Sequence, residues 1–190
     1  MTSSTLLSRA ALFFVVVAAL LSSGCVSVNR MTEGAQSAYD GKVVFTAPVG
    51  WVRYDAPGQP VTITRDGATI QTANIRYGKS ETVFPKTKPV LGSGRLPQEI
   101  GEMAVAERRS QLGNTPLKVK EIVPAMVGGV QGFRAQGTYR NERGAPYETV
   151  IAGALVGDSL VIVSYQALAV NFFSRDLASF DTLLNSLVLK

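Results

Sequence analysis

The sequence predicts an α+β fold, an antiparallel sheet of about six or seven strands with helices packed on it. Three observations lead there. β-prone runs alternate with short turn-forming clusters, the closing segment carries apolar residues at a helical period, and the chain's 190 residues leave room for one domain after an N-terminal export segment.

The strands follow in order. Lys42–Ala47 opens the domain, and Val61–Arg65 and Ala68–Tyr77 flank Asp66-Gly67, a pair that accepts the positive φ angles of a type I′ hairpin. Lys118–Met126 precedes Gly128-Gly129, and Phe133–Arg140, Tyr147–Val156 and Leu160–Leu168 are separated by Asn141–Gly144 and Gly157–Ser159. Turn residues between apolar runs make this last set an antiparallel meander. Gly128, Gly129 and Gly132 read as a bend and strand entry rather than a phosphate cradle, because a strand pattern and not a helix start follows them.

Two helices complete the set. In the closing one, Phe173, Leu177, Phe180, Leu184 and Leu187 fall on one stripe, and Asn171 is placed to cap its start. The other, about Gln98 to Leu112, carries Ile100, Met103 and Ala104 on one side, with Glu99, Glu102, Glu107, Arg108 and Arg109 largely elsewhere. An antiparallel sheet with an apolar face is the cover that such stripes require.

The first residues carry a different message. Arg9 is the one charge before a twelve-residue apolar run, Ala10–Leu21, and small residues lead into Cys25, the chain's single cysteine. This is the anatomy of an export signal, too short for a membrane-spanning helix of roughly 20 residues. Leu21-Ser22-Ser23-Gly24-Cys25 resembles the lipobox of bacterial lipoproteins, with Ser22 where leucine is usual. The resemblance implies cleavage before Cys25 and a lipid on its sulfur. The expected organisation is a signal over 1–24, lipidated Cys25 with a flexible tether over 25–40, and one globular domain over 41–190. Membrane anchoring follows, facing the periplasm from the outer membrane if the host has two membranes, since Val26 stands where an inner-membrane retention aspartate would be.

A family resemblance also covers Lys42 to Lys190. Phe45-Thr46-Ala47-Pro48-Val49-Gly50-Trp51, a strand running into a proline-glycine-tryptophan turn, resembles the opening of PsbP-like domains. Gly128-Gly129-Val130-Gln131-Gly132-Phe133 before a meander, Tyr165 on the last strand, and Phe180 with Ser186-Leu187 on the closing helix agree in order. The resemblance implies an α/β/α sandwich and an accessory or docking role, and it brings no catalytic residues. Trp51 reads as a packing aromatic.

Composition argues against catalysis. The chain contains no histidine, so Ser-His-Asp and Cys-His arrangements are impossible, and zinc or copper ligand sets lack their usual members. No catalytic, metal or cofactor residues are expected. Of 19 Lys and Arg only Arg9 lies in the signal, so against 14 Asp and Glu the mature chain keeps a formal excess of four positive charges. That is too small for nucleic-acid binding, which export also disfavours.

One segment, Gly78–Arg95, shows no helix or strand period over eighteen residues. Long loops of this kind are usually functional or disordered. Lys79, Lys86, Lys88 and Arg95, with Phe84 as an apolar anchor, are the candidate partner-binding residues. The expectation is a non-catalytic accessory or adaptor subunit of an envelope complex, docking an envelope protein. The alternative is a small-molecule or lipid-headgroup binding module with its pocket between sheet and helix, and a carboxylate hydrolase ranks last.

Overall fold

The computed structural model describes residues 27–30, 34–91 and 94–190; the signal segment and Cys25 lie outside them. In chain order the elements are β1 (Ser27–Arg30), β2 (Ala35–Ala38), β3 (Val43–Thr46), β4 (Val52–Asp55), β5 (Val61–Thr64), β6 (Gln71–Gly78), α1 (Ser80–Val83), α2 (Pro97–Leu112), β7 (Lys118–Val127), β8 (Val130–Arg140), β9 (Pro146–Val156), β10 (Ser159–Leu168), α3 (Phe172–Asn185) and β11 (Val188–Leu189). Among the described residues the strands form an eight-stranded sheet, ordered β1-β4-β5-β6-β10-β9-β8-β7, and a three-stranded one, β11-β3-β2. Every strand pair is antiparallel.

The large sheet is buried on both faces at its centre. On one side α3 and the small sheet cover a core of Phe45, Trp51, Ile63, Ile75, Val163, Tyr165, Phe173 and Phe180. On the other side α1 and α2 cover Val83, Phe84, Ile100, Ala104, Phe133, Ile151, Leu160 and Ile162. Alternate residues of β10 serve the two cores: Leu160 and Ile162 one, Val161, Val163 and Tyr165 the other. A strand covered twice must be apolar throughout, which accounts for the unbroken apolar run Val150–Leu155 in β9. Trp51 is 2% exposed and packs on Tyr165, as a core aromatic should.

The seven expected strands and both expected helices are present. Four further strands, β1, β2, β4 and β11, have only two to four residues each, too short to carry a period. Two of them correct the expected tether. Ser27–Arg30 pairs with β4 and Ala35–Ala38 pairs with β3, so these parts of the 25–40 segment belong to the sheets.

Two local expectations are also corrected. Asp66-Gly67 does not form a two-residue hairpin, because β5 ends at Thr64 and β6 begins at Gln71. The longer loop lets Arg65 reach Asp176 and Asp66 reach Arg175, while Thr64 Oγ1 accepts the Gly67 N–H and donates to the Gln71 carbonyl. Asn171 stands before α3 with φ 71° and makes no side-chain cap. At the first turn of α2, Pro97 leads and the Leu96 N–H donates to Glu99 Oε2 at 2.9 Å.

Glycines let α2 and the sheet pack tightly around Phe133. Phe133 is fully buried, and a Cβ on either Gly101 of α2 or Gly153 of β9 would come within 3.1 Å of its ring. At Gly153 that Cβ would also meet Ile162 Cδ1 at 2.4 Å and the Val161 carbonyl oxygen at 2.6 Å. Gly153→Ala is therefore expected to lower stability by about 1–3 kcal/mol through overpacking. Urea unfolding checks it, with the midpoint falling at an unchanged slope.

Candidate functional site

Helix α2 covers only part of its face of the sheet, packing on β7, β8 and β9, while β4 and β5 lie beyond it. One cross-strand row records this boundary. From β4 across to β7 it reads Tyr54, Thr62, Asn74, Ser164, then Ile151, Ala135 and Ile122. The polar half lies in the open and the apolar half lies towards the helix.

The open half is the floor of a cleft of about 450 Å³. Its helical wall is Ala104, Glu107, Arg108 and Gln111, positions i, i+3, i+4 and i+7 of α2; Val83 and Phe84 close another side, and Ala56, Gln59, Pro60 and Ala68 form the rim. On the floor the Thr62 hydroxyl donates to Asn74 Oδ1 at 2.8 Å.

Glu107 is 3% exposed and satisfied by four donors. Its carboxylate accepts from the Thr87 N–H and hydroxyl, each at 2.9 Å, from the Lys86 N–H at 3.2 Å and from Gln111 Nε2 at 3.0 Å. Burial by itself would raise its pKa, but these donors outweigh that and hold it below the ordinary carboxylate value.

Arg108 is held differently. Its guanidinium donates to Tyr139 Oη at 3.1 Å, to Gln166 Oε1 and, at 3.4 Å, to Gln111 Oε1, and it lies 5.3 Å above the Tyr139 ring. Every one of these acceptors is neutral. Its Nε is buried without a partner among the described residues. Burial pulls its pKa down, and Tyr139 offsets this in part. Arg76, also lining the cleft, forms no ion pair among the described residues.

The expected partner-binding residues have separate fates. Phe84 is 1% exposed and belongs to the core under α2, so it is corrected from a docking anchor to a packing residue. Its segment is also not patternless: α1 occupies Ser80–Val83, Lys88 N–H donates to the Phe84 carbonyl at 2.8 Å, and the Ser80 hydroxyl donates to the Pro89 carbonyl at 2.6 Å. Lys79, Lys86 and Lys88 are exposed. Lys79 and Lys88 border one shallow depression with Glu81, Val90, Leu91 and Asp158. Arg95 instead pairs with Glu99 at 3.3 Å.

The cleft residues were not singled out from the sequence, and two signals could have found them. Thr72, Asn74 and Arg76 alternate with apolar residues in β6, as Ser164 and Gln166 do in β10, which marks one face as polar at mid-sheet. Glu107, Arg108 and Gln111 also continue the Ile100–Ala104 stripe of α2 instead of lying opposite to it.

The sequence matches no family model and no curated protein. Solved structures do share its fold. Cyanobacterial PsbP from Synechocystis aligns over 89% of this chain and 96% of its own, with 15% identity and a TM-score of 0.52. The Ran-binding protein Mog1p of Saccharomyces cerevisiae aligns over 84% and 96%, with 10% identity and a TM-score of 0.57. A protein of Bacteroides thetaiotaomicron aligns over 84% of this chain with 11% identity and a TM-score of 0.54, and this chain spans only 49% of that one. The likeness is one of fold: the α+β sandwich of PsbP and Mog1p.

Removing the Glu107 carboxylate leaves the Lys86 and Thr87 N–H groups without their acceptor. Glu107→Ala should cost about 1–3 kcal/mol. Hydrogen exchange should show Lys86 and Thr87 amides losing protection while β8–β10 keep theirs. In the wild type the lowered pKa fixes the sign. The contribution is complete above the ordinary carboxylate range, about pH 4–5, and fades as pH falls through the lower folded-state value.

Proposed function

We propose that this chain is an exported, lipid-anchored accessory protein of the cell envelope that works by binding rather than by catalysis, with the cleft beside α2 as its site. The observation that carries the binding reading is the charge arrangement of that cleft. Among the described residues Arg76 and Arg108 line it without carboxylate partners, while Glu107, its one acid, is taken up by the 86–87 backbone and Gln111. Guanidinium, hydroxyl and amide groups so placed hold and orient a ligand.

The anchored reading rests on the lipobox-like Leu21–Cys25 segment. Among the described residues no helix is long and apolar enough to cross a membrane. Val26 alone separates Cys25 from β1, so a lipid on Cys25 would hold the β1 edge within about 10 Å of the bilayer.

A second reading, docking of an envelope protein, is favoured by the exposed Lys79 and Lys88 beside Val90, which is 85% exposed, with Lys86 also exposed on the same segment. In this reading Phe84 has no part.

Fractionation of cells with Cys25→Ala beside the wild type tests the anchor. The wild type should sediment with membranes and the variant should not; a soluble wild type overturns the lipoprotein reading. Crosslinking and pull-down from intact cells test docking. Joint replacement of Lys79, Lys86 and Lys88 by alanine should cut capture of an envelope protein several-fold with the melting temperature moved by no more than a few degrees, and unchanged capture removes that reading.

A further inference from the structure

We propose that the α2 cleft binds a small organic carboxylate, its charged group on the Arg76 and Arg108 guanidiniums and its uncharged body over Thr62, Asn74 and Ser164. This rests on the binding reading above and adds the chemistry of the ligand.

Charge is the first argument. The ionised groups lining the cleft are Arg76, Glu107 and Arg108, two positive and one negative, so a single negative charge brings the site to neutrality. Arg108 also needs more than its present neighbours supply. A guanidinium drawn out of water is stabilised best by an anion, and Tyr139, Gln166 and Gln111 present only neutral oxygens to it. Three buried side-chain atoms lack partners among the described residues, Gln71 Oε1, Thr72 Oγ1 and Arg108 Nε, and Arg108 Nε is the one on a charged group.

Preorganisation is the second argument. The Tyr139 hydroxyl donates to Gln166 Oε1 at 2.9 Å, which fixes two of the acceptors of Arg108 relative to each other. Gln111 is held from behind by Glu107, itself clamped by the backbone at 86–87. The guanidinium is thus positioned before any ligand arrives, which lowers the ordering cost of binding.

Shape selects the carboxylate. The volume of about 450 Å³ suits a small molecule, and Val83, Phe84, Ala104 and Ile162 give apolar contact beside the hydroxyl and amide floor. A carboxylate leaves a single substituent to accommodate between the α2 wall and the sheet, and its planar oxygens match a guanidinium. A phosphodiester carries substituents on both sides of phosphorus, and a phosphate dianion exceeds the charge available.

The test titrates the ¹⁵N-labelled full-length chain, in neutral detergent micelles, with butyrate and N-acetylalanine. Butyramide and glycerophosphoglycerol are the neutral and phosphodiester comparisons. Saturable shifts of the Arg108 Nε–H and the Asn74 side-chain amide are expected with at least one carboxylate and not with butyramide. Arg108→Met and Arg76→Met should each weaken that affinity about tenfold, with no fall in melting temperature. If Arg108→Met does not fold, Arg76→Met decides. The proposal is overturned by no saturable shift with either carboxylate, by an equal response to butyramide, by preference for the phosphodiester, or by unchanged affinity in the folded variants. Partner capture with no carboxylate response would remove this inference and leave the accessory role standing.

Discussion

The structure depends on one constraint: Val150–Leu155 of β9 and Leu160–Val163 of β10 sit between two covering layers and are apolar on both faces. Everything else follows from how far each layer reaches. On one side α3 and the small sheet cover the large sheet from β5 across to β9, and that core is closed around Tyr165, whose ring stacks on Phe173 and Phe180 with centroids 5.3 Å apart. On the other side α2 packs mainly on β7, β8 and β9 and reaches β10 through Arg108 and Gln166, while the short α1 packs on β6 and β10. The cleft is the sheet area that the second layer leaves over, and its polar floor is the chemistry a sheet face needs where water reaches it.

Two buried carboxylates show how this fold uses charge structurally. Asp176, 1% exposed on α3, accepts from Arg65 at 3.0 Å, Gln71 at 2.7 Å and Arg175 at 2.8 Å. Its pKa is lowered because these donors overcome the penalty of burial. It ties the β5–β6 loop to α3, as Glu107 ties the 86–87 backbone to α2. In each case the carboxylate accepts both from a neighbour on its own helix, Arg175 or Gln111, and from groups in a distant part of the chain. The stabilisation comes from satisfied geometry rather than from the charge alone.

What the sequence made legible was set by length and period. Strands of eight or more residues and helices of fourteen or more carried enough residues to show a face, and all of these were readable. β1, β2, β4 and β11 were not, because two to four residues hold no period; β3 and β5 are as short, but Val43-Val44-Phe45 and Val61-Thr62-Ile63 stand out as β-prone runs. The Asp66-Gly67 turn misled because Asp66 answers to Arg175, more than one hundred positions away, and not to its neighbours. Phe84 misled for a related reason: in a run rich in lysine and proline a lone aromatic looks exposed, and only the fold reveals that it lies under α2. The cleft was hidden because it is an absence of cover, and the extent of a covering layer is a property of tertiary packing.

Arg108 is the residue that this reasoning leaves standing apart. Asp176 and Glu107 each have a structural task that their partners explain. Arg108 takes on the desolvation of a cation while joining no distant acid, and an apolar side chain of similar length would fill its volume beside Tyr139 without that cost. Tyr139 and Gln166 fix where its charge lies, but they do not neutralise it. A fold that needed only packing at this position gains nothing from a guanidinium. A site that must present a positioned positive charge at the edge of a polar sheet face, next to Arg76, requires one. Stability and binding make different demands on the same turn of α2, and under the binding reading proposed above Arg108 meets the second.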